Sequence, residues 1–92
     1  AYITRAYEKT PEDPAIIDSM GWVQYRLGNL DIARQYLQQA WDMTNDSEIG
    51  AHLGEVMWQQ GDYEAARKVW EQAREFGPDN AVLQETLKRF NP

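Results

Sequence analysis

The chain contains no cysteine, which excludes both disulfides and thiolate metal sites. This leaves the redox compartment open, because a helical repeat domain needs no covalent staples. Long apolar runs are missing too, and none approaches the length of a membrane span. Basic residues are scarce, with nine Lys and Arg against fifteen Asp and Glu and a net charge of −6. That balance argues against extended contact with phosphate backbones, so no nucleic-acid partner is expected. Histidine occurs once, at His52, with no nucleophile at suggestive spacing. Hydrolytic catalysis has no support, and the chain reads as a non-enzyme that needs no cofactor. Its 92 residues make one small domain with a modest core.

What the chain does have is a repeat. The segment 14–46 reappears as 47–79, shifted by 33 residues. Ile16, Gly21, Val23, Gly28, Ala33, Arg34, Gln39, Ala40 and Asp46 recur at Ile49, Gly54, Val56, Gly61, Ala66, Arg67, Gln72, Ala73 and Asp79. Chance would give roughly two such identities. A period of this length belongs to stacked-repeat architectures, which build binding surfaces rather than catalytic pockets.

Each repeat reads as two helices. Asp13 caps the first, and Pro14 sits at a first-turn position where its missing N–H costs nothing. Ile16, Ile17, Met20, Val23 and Leu27 form its apolar stripe up to the Gly28-Asn29 turn, with Asn29 as the next cap. Leu30, Ala33, Leu37 and Ala40 form the buried stripe of the second helix, and Asp31, Arg34, Gln35, Gln38 and Asp42 its wet face. In the second copy, Asp46 or Ser47 caps, and Ile49, Leu53, Val56 and Met57 give the stripe. Gly61-Asp62 turns, Tyr63, Ala66, Trp70, Ala73 and Phe76 follow, and Gly77-Pro78 stops the helix. Gly21 and Gly54, mid-helix in both copies, predict close helix–helix approach. Trp41 has no counterpart in the other copy and is expected at the repeat junction or partly exposed.

The ends fit the same frame. Residues 1–10 read as the second helix of a truncated preceding repeat, and 80–90 as a capping helix started by Asn80. Val82, Leu83, Leu87 and Phe90 are its apolar positions, and Lys88 and Arg89 complement its dipole. The chain is therefore expected to be the C-terminal end of a longer array.

These positions resemble the tetratricopeptide repeat family. The second copy supplies Leu53-Gly54, Gly61, Tyr63, Ala66, Trp70, Ala73 and Pro78, and the first supplies Met20-Gly21, Gly28, Leu30, Ala33, Leu37 and Ala40. There are departures. An early large position holds Ile17 in one copy and Gly50 in the other, and Asn45 replaces the terminal proline of the first. The usual first-helix tyrosine is Gln24 or Met57, with Tyr25 and Trp58 one residue later. The resemblance implies an all-α fold of antiparallel helix pairs stacked as a right-handed α-solenoid, two full repeats with flanking helices.

The resemblance also implies a concave groove lined by the first helices. Matching positions are Asp18, Ser19, Trp22, Tyr25 and Arg26, then Glu48, Ala51, His52, Glu55, Trp58 and Gln59. Asp18, Trp22, Tyr25, Arg26, His52, Glu55 and Trp58 are the expected partner-binding residues, with Trp22, Tyr25 and Trp58 as an aromatic strip for a peptide. The competing reading packs those rings against neighbouring helices. A clamp for C-terminal carboxylates is not expected, since these positions carry acids and only Arg26 and Arg89 bring positive charge to that side. Glu48, His52 and Glu55 share one helix face at metal-ligand spacing, but a charged helix surface produces such triplets often, and no metal is expected.

The leading reading is a protein-interaction module, an adaptor or scaffold that presents a preformed groove to a protein or peptide. The alternatives are a non-catalytic repeat domain of a larger enzyme, and a self-association or solenoid-capping element using the apolar face of residues 1–10. The wording of 17–28, with Ala51-His52-Leu53-Gly54-Glu55-Val56 and Pro78-Asp79-Asn80, is similar to the C-terminal repeats of large Gram-negative repeat lipoproteins. That similarity implies the periplasmic side of the outer membrane, and a periplasmic processing protease as a partner, without direct membrane contact by this segment.

Overall fold

A computed structural model describes residues 13–90. The helix expected at 1–10, and the self-association expected through it, lie outside them. Five helices follow in order: α1 (Pro14–Arg26), α2 (Leu30–Thr44), α3 (Ser47–Gln59), α4 (Tyr63–Phe76) and α5 (Ala81–Phe90). No strand occurs among the described residues, and the fold is all-α.

Local chemistry sets the boundaries. Asp13 is extended and accepts a hydrogen bond from the Ala15 N–H, and Pro14 follows in the first turn of α1. Asp46 does the same for α3 through the Glu48 N–H at 2.8 Å. Gly28 and Gly61 close the two hairpins at φ of 87° and 88°, a left-handed backbone that an L side chain resists. Asn29 stands at the cap position of α2 but does not cap it. Its amide donates to Gln24 Oε1 at 2.8 Å, which ties the turn back onto α1 instead. Asn45 ends α2 in the left-handed region at φ 53°, where asparagine is tolerated and proline is barred, so the departure from the family's proline has a backbone cause.

The hairpins α1–α2 and α3–α4 stack through α2 against α3, and α5 lies chiefly on α3 with its edge on α4. Ile17, Ala33, Leu37, Leu53, Val56, Ala66, Trp70 and Leu83 are almost wholly removed from water. Each such large side chain contributes roughly 1.5–3 kcal/mol of burial. The stripe expected on α1 divides: Ile17 is buried, whereas Ile16, Val23 and Leu27 are 39%, 54% and 67% exposed. The reason is position, since among the described residues α1 has neighbours on only one flank. Phe76 is also exposed and meets the edge of Trp41 at 6.1 Å.

The mid-helix glycines mark close approach. A Cβ on Gly21 would stand 2.8 Å from Leu37 Cγ, and one on Gly54 would fall inside the Trp70 indole. Trp70 is held there by its Nε1–H, which donates to the Ala51 carbonyl at 3.2 Å. At the other end of the hairpin the buried Ser47 hydroxyl donates to the Ala73 carbonyl at 2.8 Å. Asn80 caps α5 by accepting from the Leu83 N–H at 3.0 Å. With Leu83 anchored, α5 becomes a third wall beside α1 and α3.

Candidate functional site

On α1, Asp18, Trp22 and Tyr25 step by four and three, and on α3, Glu48, His52 and Glu55 step likewise. This spacing turns each set to one helix face. The two faces meet. His52 Nδ1 lies 2.9 Å from Asp18 Oδ1, and because a carboxylate only accepts, the nitrogen carries the hydrogen and donates. The imidazole stacks on Trp22 with centroids 4.1 Å apart and planes 27° apart, and Trp22 in turn touches Tyr25 at 4.8 Å. A stacked ring with a fixed acceptor has little rotational freedom left, so this corner is held by its own contacts.

Glu55 anchors the next layer. It is only 4% exposed, and its carboxylate is satisfied on both oxygens. Tyr25 donates its hydroxyl to Oε2 at 2.8 Å, and Arg89 of α5 donates to Oε1 at 2.7 Å. Burial, together with the hydrogen bond and charge of Glu55, pushes the Tyr25 phenol up to about 12. No buried side-chain polar atom among the described residues is left without a partner.

Beside this layer lies a groove of about 340 Å³ between α1, α3 and α5, with Trp22, His52 and Glu55 on one side and Val82, Glu85 and Arg89 on the other. A separate depression of about 240 Å³ lies at the starts of α1 and α3, bordered by Asp13, Asp18, Asp46 and Glu48. A broader depression of about 830 Å³ crosses α2, and most of its polar groups already bond one another. There Arg34 donates to Gln60 at 2.9 Å, Gln60 to Asp31 at 2.7 Å, and Gln38 to Asp42 at 3.0 Å.

Of the residues expected to bind a partner, Asp18, Trp22, Tyr25, His52 and Glu55 come together here. Arg26 is exposed at the end of α1 and makes no hydrogen bond to the others among the described residues. Trp58 lies in a different cluster. It stacks at 5.6 Å from Trp70, lies 6.0 Å from Phe90, and carries the Arg67 guanidinium at 5.4 Å. The aromatic strip expected along the groove is therefore two separate groups, because α5 places Phe90 against Trp58.

The acid–histidine grouping also differs from the sequence pattern. Asp18, Glu48 and His52 are the groups whose ligand atoms fall within 4.8 Å of one another, while Glu55 is committed to Tyr25 and Arg89. The hydrogen bond between Asp18 and His52 closes this set on itself. Missing from the sequence reading were Val82, Glu85 and Thr86 of α5, which line the groove. The amphipathic pattern of α5 was visible, but not which helix it would face.

A family model described as tetratricopeptide repeat matches residues 24–89. The chain is also 53% identical over 53 residues to a TPR repeat-containing protein of Pseudomonas aeruginosa. That alignment covers 58% of this chain and 9% of the relative, so the chain corresponds to a small part of that protein's length.

Proposed function

Because the chain belongs to the tetratricopeptide repeat family, we propose that it is an interaction module that receives a partner protein in the groove between α1, α3 and α5. The observation that carries this reading is the Trp22–His52 stack locked by Asp18, a rigid, partly apolar surface at the mouth of a concave site. A preformed surface loses little ordering entropy on binding, and an aromatic residue beside a groove is a usual anchor. The α2 depression is a weaker candidate because most of its polar groups are already paired. The Tyr25–Glu55–Arg89 bonds brace the walls of the groove by tying α1 and α5 to α3.

The similarity to Gram-negative repeat lipoproteins extends the proposal to an adaptor on the periplasmic side of the outer membrane, with a processing protease as partner. Nothing in the groove suggests chemistry of its own, and its work is to hold. The test is partner capture from cell envelope extract, comparing the unmodified chain with Trp22→Ala. Helicity is checked by circular dichroism. Loss of a specific partner with helicity retained supports the groove, and unchanged capture removes it.

A further inference from the structure

We infer that the segment this groove receives is basic, with Lys or Arg side chains lying along the wall between Trp22 and α5. The inference rests on the groove reading and names the partner's chemistry.

Charge is the first argument. Around the groove and the neighbouring depression, whose linings are linked by the Asp18–His52 bond, stand Asp13, Asp18, Asp46, Glu48, Glu55 and Glu85. Arg89 is the only Lys or Arg among their described lining residues, and it is paired with Glu55. Glu48 and Glu85 are exposed, and they flank the His52–Trp22 stack from α3 and α5. A surface with this excess of carboxylates attracts cations and repels acidic segments.

The second argument is that the fold already uses the site for a guanidinium. Arg89 bonds Glu55 at 2.7 Å and lies 4.9 Å above the Phe90 ring. Its own helix supplies a cation held by a carboxylate and an aromatic face, and the exposed Glu85 carboxylate lines the same groove beside Trp22. The walls suit the rest of such a side chain. Ala81, Val82 and Trp22 present apolar surface for an aliphatic stem while the charged head remains at the acidic rim. An acidic or C-terminal carboxylate ligand would find none of this.

The test uses the 92-residue chain and two short fluorescent peptides of equal length, one alternating arginine with alanine and one alternating glutamate with alanine, followed by anisotropy. The arginine peptide is expected to bind, to weaken with added salt, and to outcompete the glutamate peptide. Glu48→Gln with Glu85→Gln is expected to weaken it about tenfold. Glu71→Gln with Glu75→Gln makes the same change of net charge at exposed positions off the groove, and is expected to cost less than about twofold. All four positions are exposed, so the fold is retained in both variants. Equal binding of the two peptides overturns the inference, as does an equal effect of the two paired substitutions. If the arginine peptide fails while Trp22→Ala still abolishes partner capture, the charge inference falls and the groove reading stands.

Discussion

The Trp41 indole occupies the space that a side chain on Gly50 would need. A Cβ there would lie 2.8 Å from Trp41 Cζ3 and 2.8 Å from the Cβ of Ala73. The two departures of the repeats, a glycine at a large position and a tryptophan without a counterpart, are thus one packing solution at the junction. Gly50→Val should destabilise the chain by about 1–3 kcal/mol through overpacking, and Trp41→Ala by about 3–5 kcal/mol through the cavity. Because they share a space, the double variant should cost less than the sum of the two. Urea midpoints of the three variants measure this.

Gly54→Ala should be worse than Gly21→Ala. The added methyl meets the rigid Trp70 ring and threatens its bond to the Ala51 carbonyl, whereas at Gly21 it meets Leu37 and Tyr36 at 2.8–3.1 Å and threatens no hydrogen bond. Overpacking of about 3 kcal/mol at Gly54, less the roughly 1 kcal/mol returned by alanine's better helix propensity, leaves a net cost of about 2 kcal/mol. Thermal unfolding of the two variants gives the order.

Removing Arg89 should matter more than removing its neighbour Lys88. Arg89→Ala leaves the buried Glu55 with Tyr25 alone, an under-satisfied carboxylate costing roughly 1–3 kcal/mol. The value should fall near the lower end, since Arg89 is itself 54% exposed and water can take its place. Lys88→Ala should fall within about 0.5 kcal/mol of the parent. Denaturant melts of both distinguish a tethered α5 from one held by apolar contact alone.

Alkali should expose Tyr25. Its folded value of about 12 lies above the ordinary 10.0, so the folded state holds this proton more tightly than the unfolded state. The stabilisation is complete below pH 10 and is lost as pH rises toward 12. Phenolate absorbance should show one tyrosine ionising late. Tyr25→Phe should remove that step and flatten the stability profile across the same window.

Much of this molecule is decided locally. Asp13-Pro14, Gly28, Asp46, Gly61 and Asn80 mark turns and helix starts because capping and left-handed backbone depend on a few adjacent atoms. The buried stripes of α2 and α3, and Ala66, Trp70 and Ala73 of α4, are legible for a similar reason, since a helix repeats every 3.6 residues. Tyr63 and Phe76, at the ends of α4, are exposed instead. Even local rules are overridden once, at Asn29, where Gln24 competes for the side chain.

The site depends on partners far apart in sequence. Asp18 and His52, Tyr25 and Glu55, and Glu55 and Arg89 are each separated by 30 residues or more. Periodicity tells which face a residue occupies but not which atom it meets across the gap. Glu55 reads in the sequence as a groove-facing residue, and the folded chain makes it a buried acceptor for Tyr25 and Arg89. Trp58 reads as part of a groove strip, and Phe90 of α5 draws it into another cluster. The repeat by itself determined the helices and their hairpins. Only their stacking, with α5 laid across α3, decided which acids are buried and paired and which remain exposed.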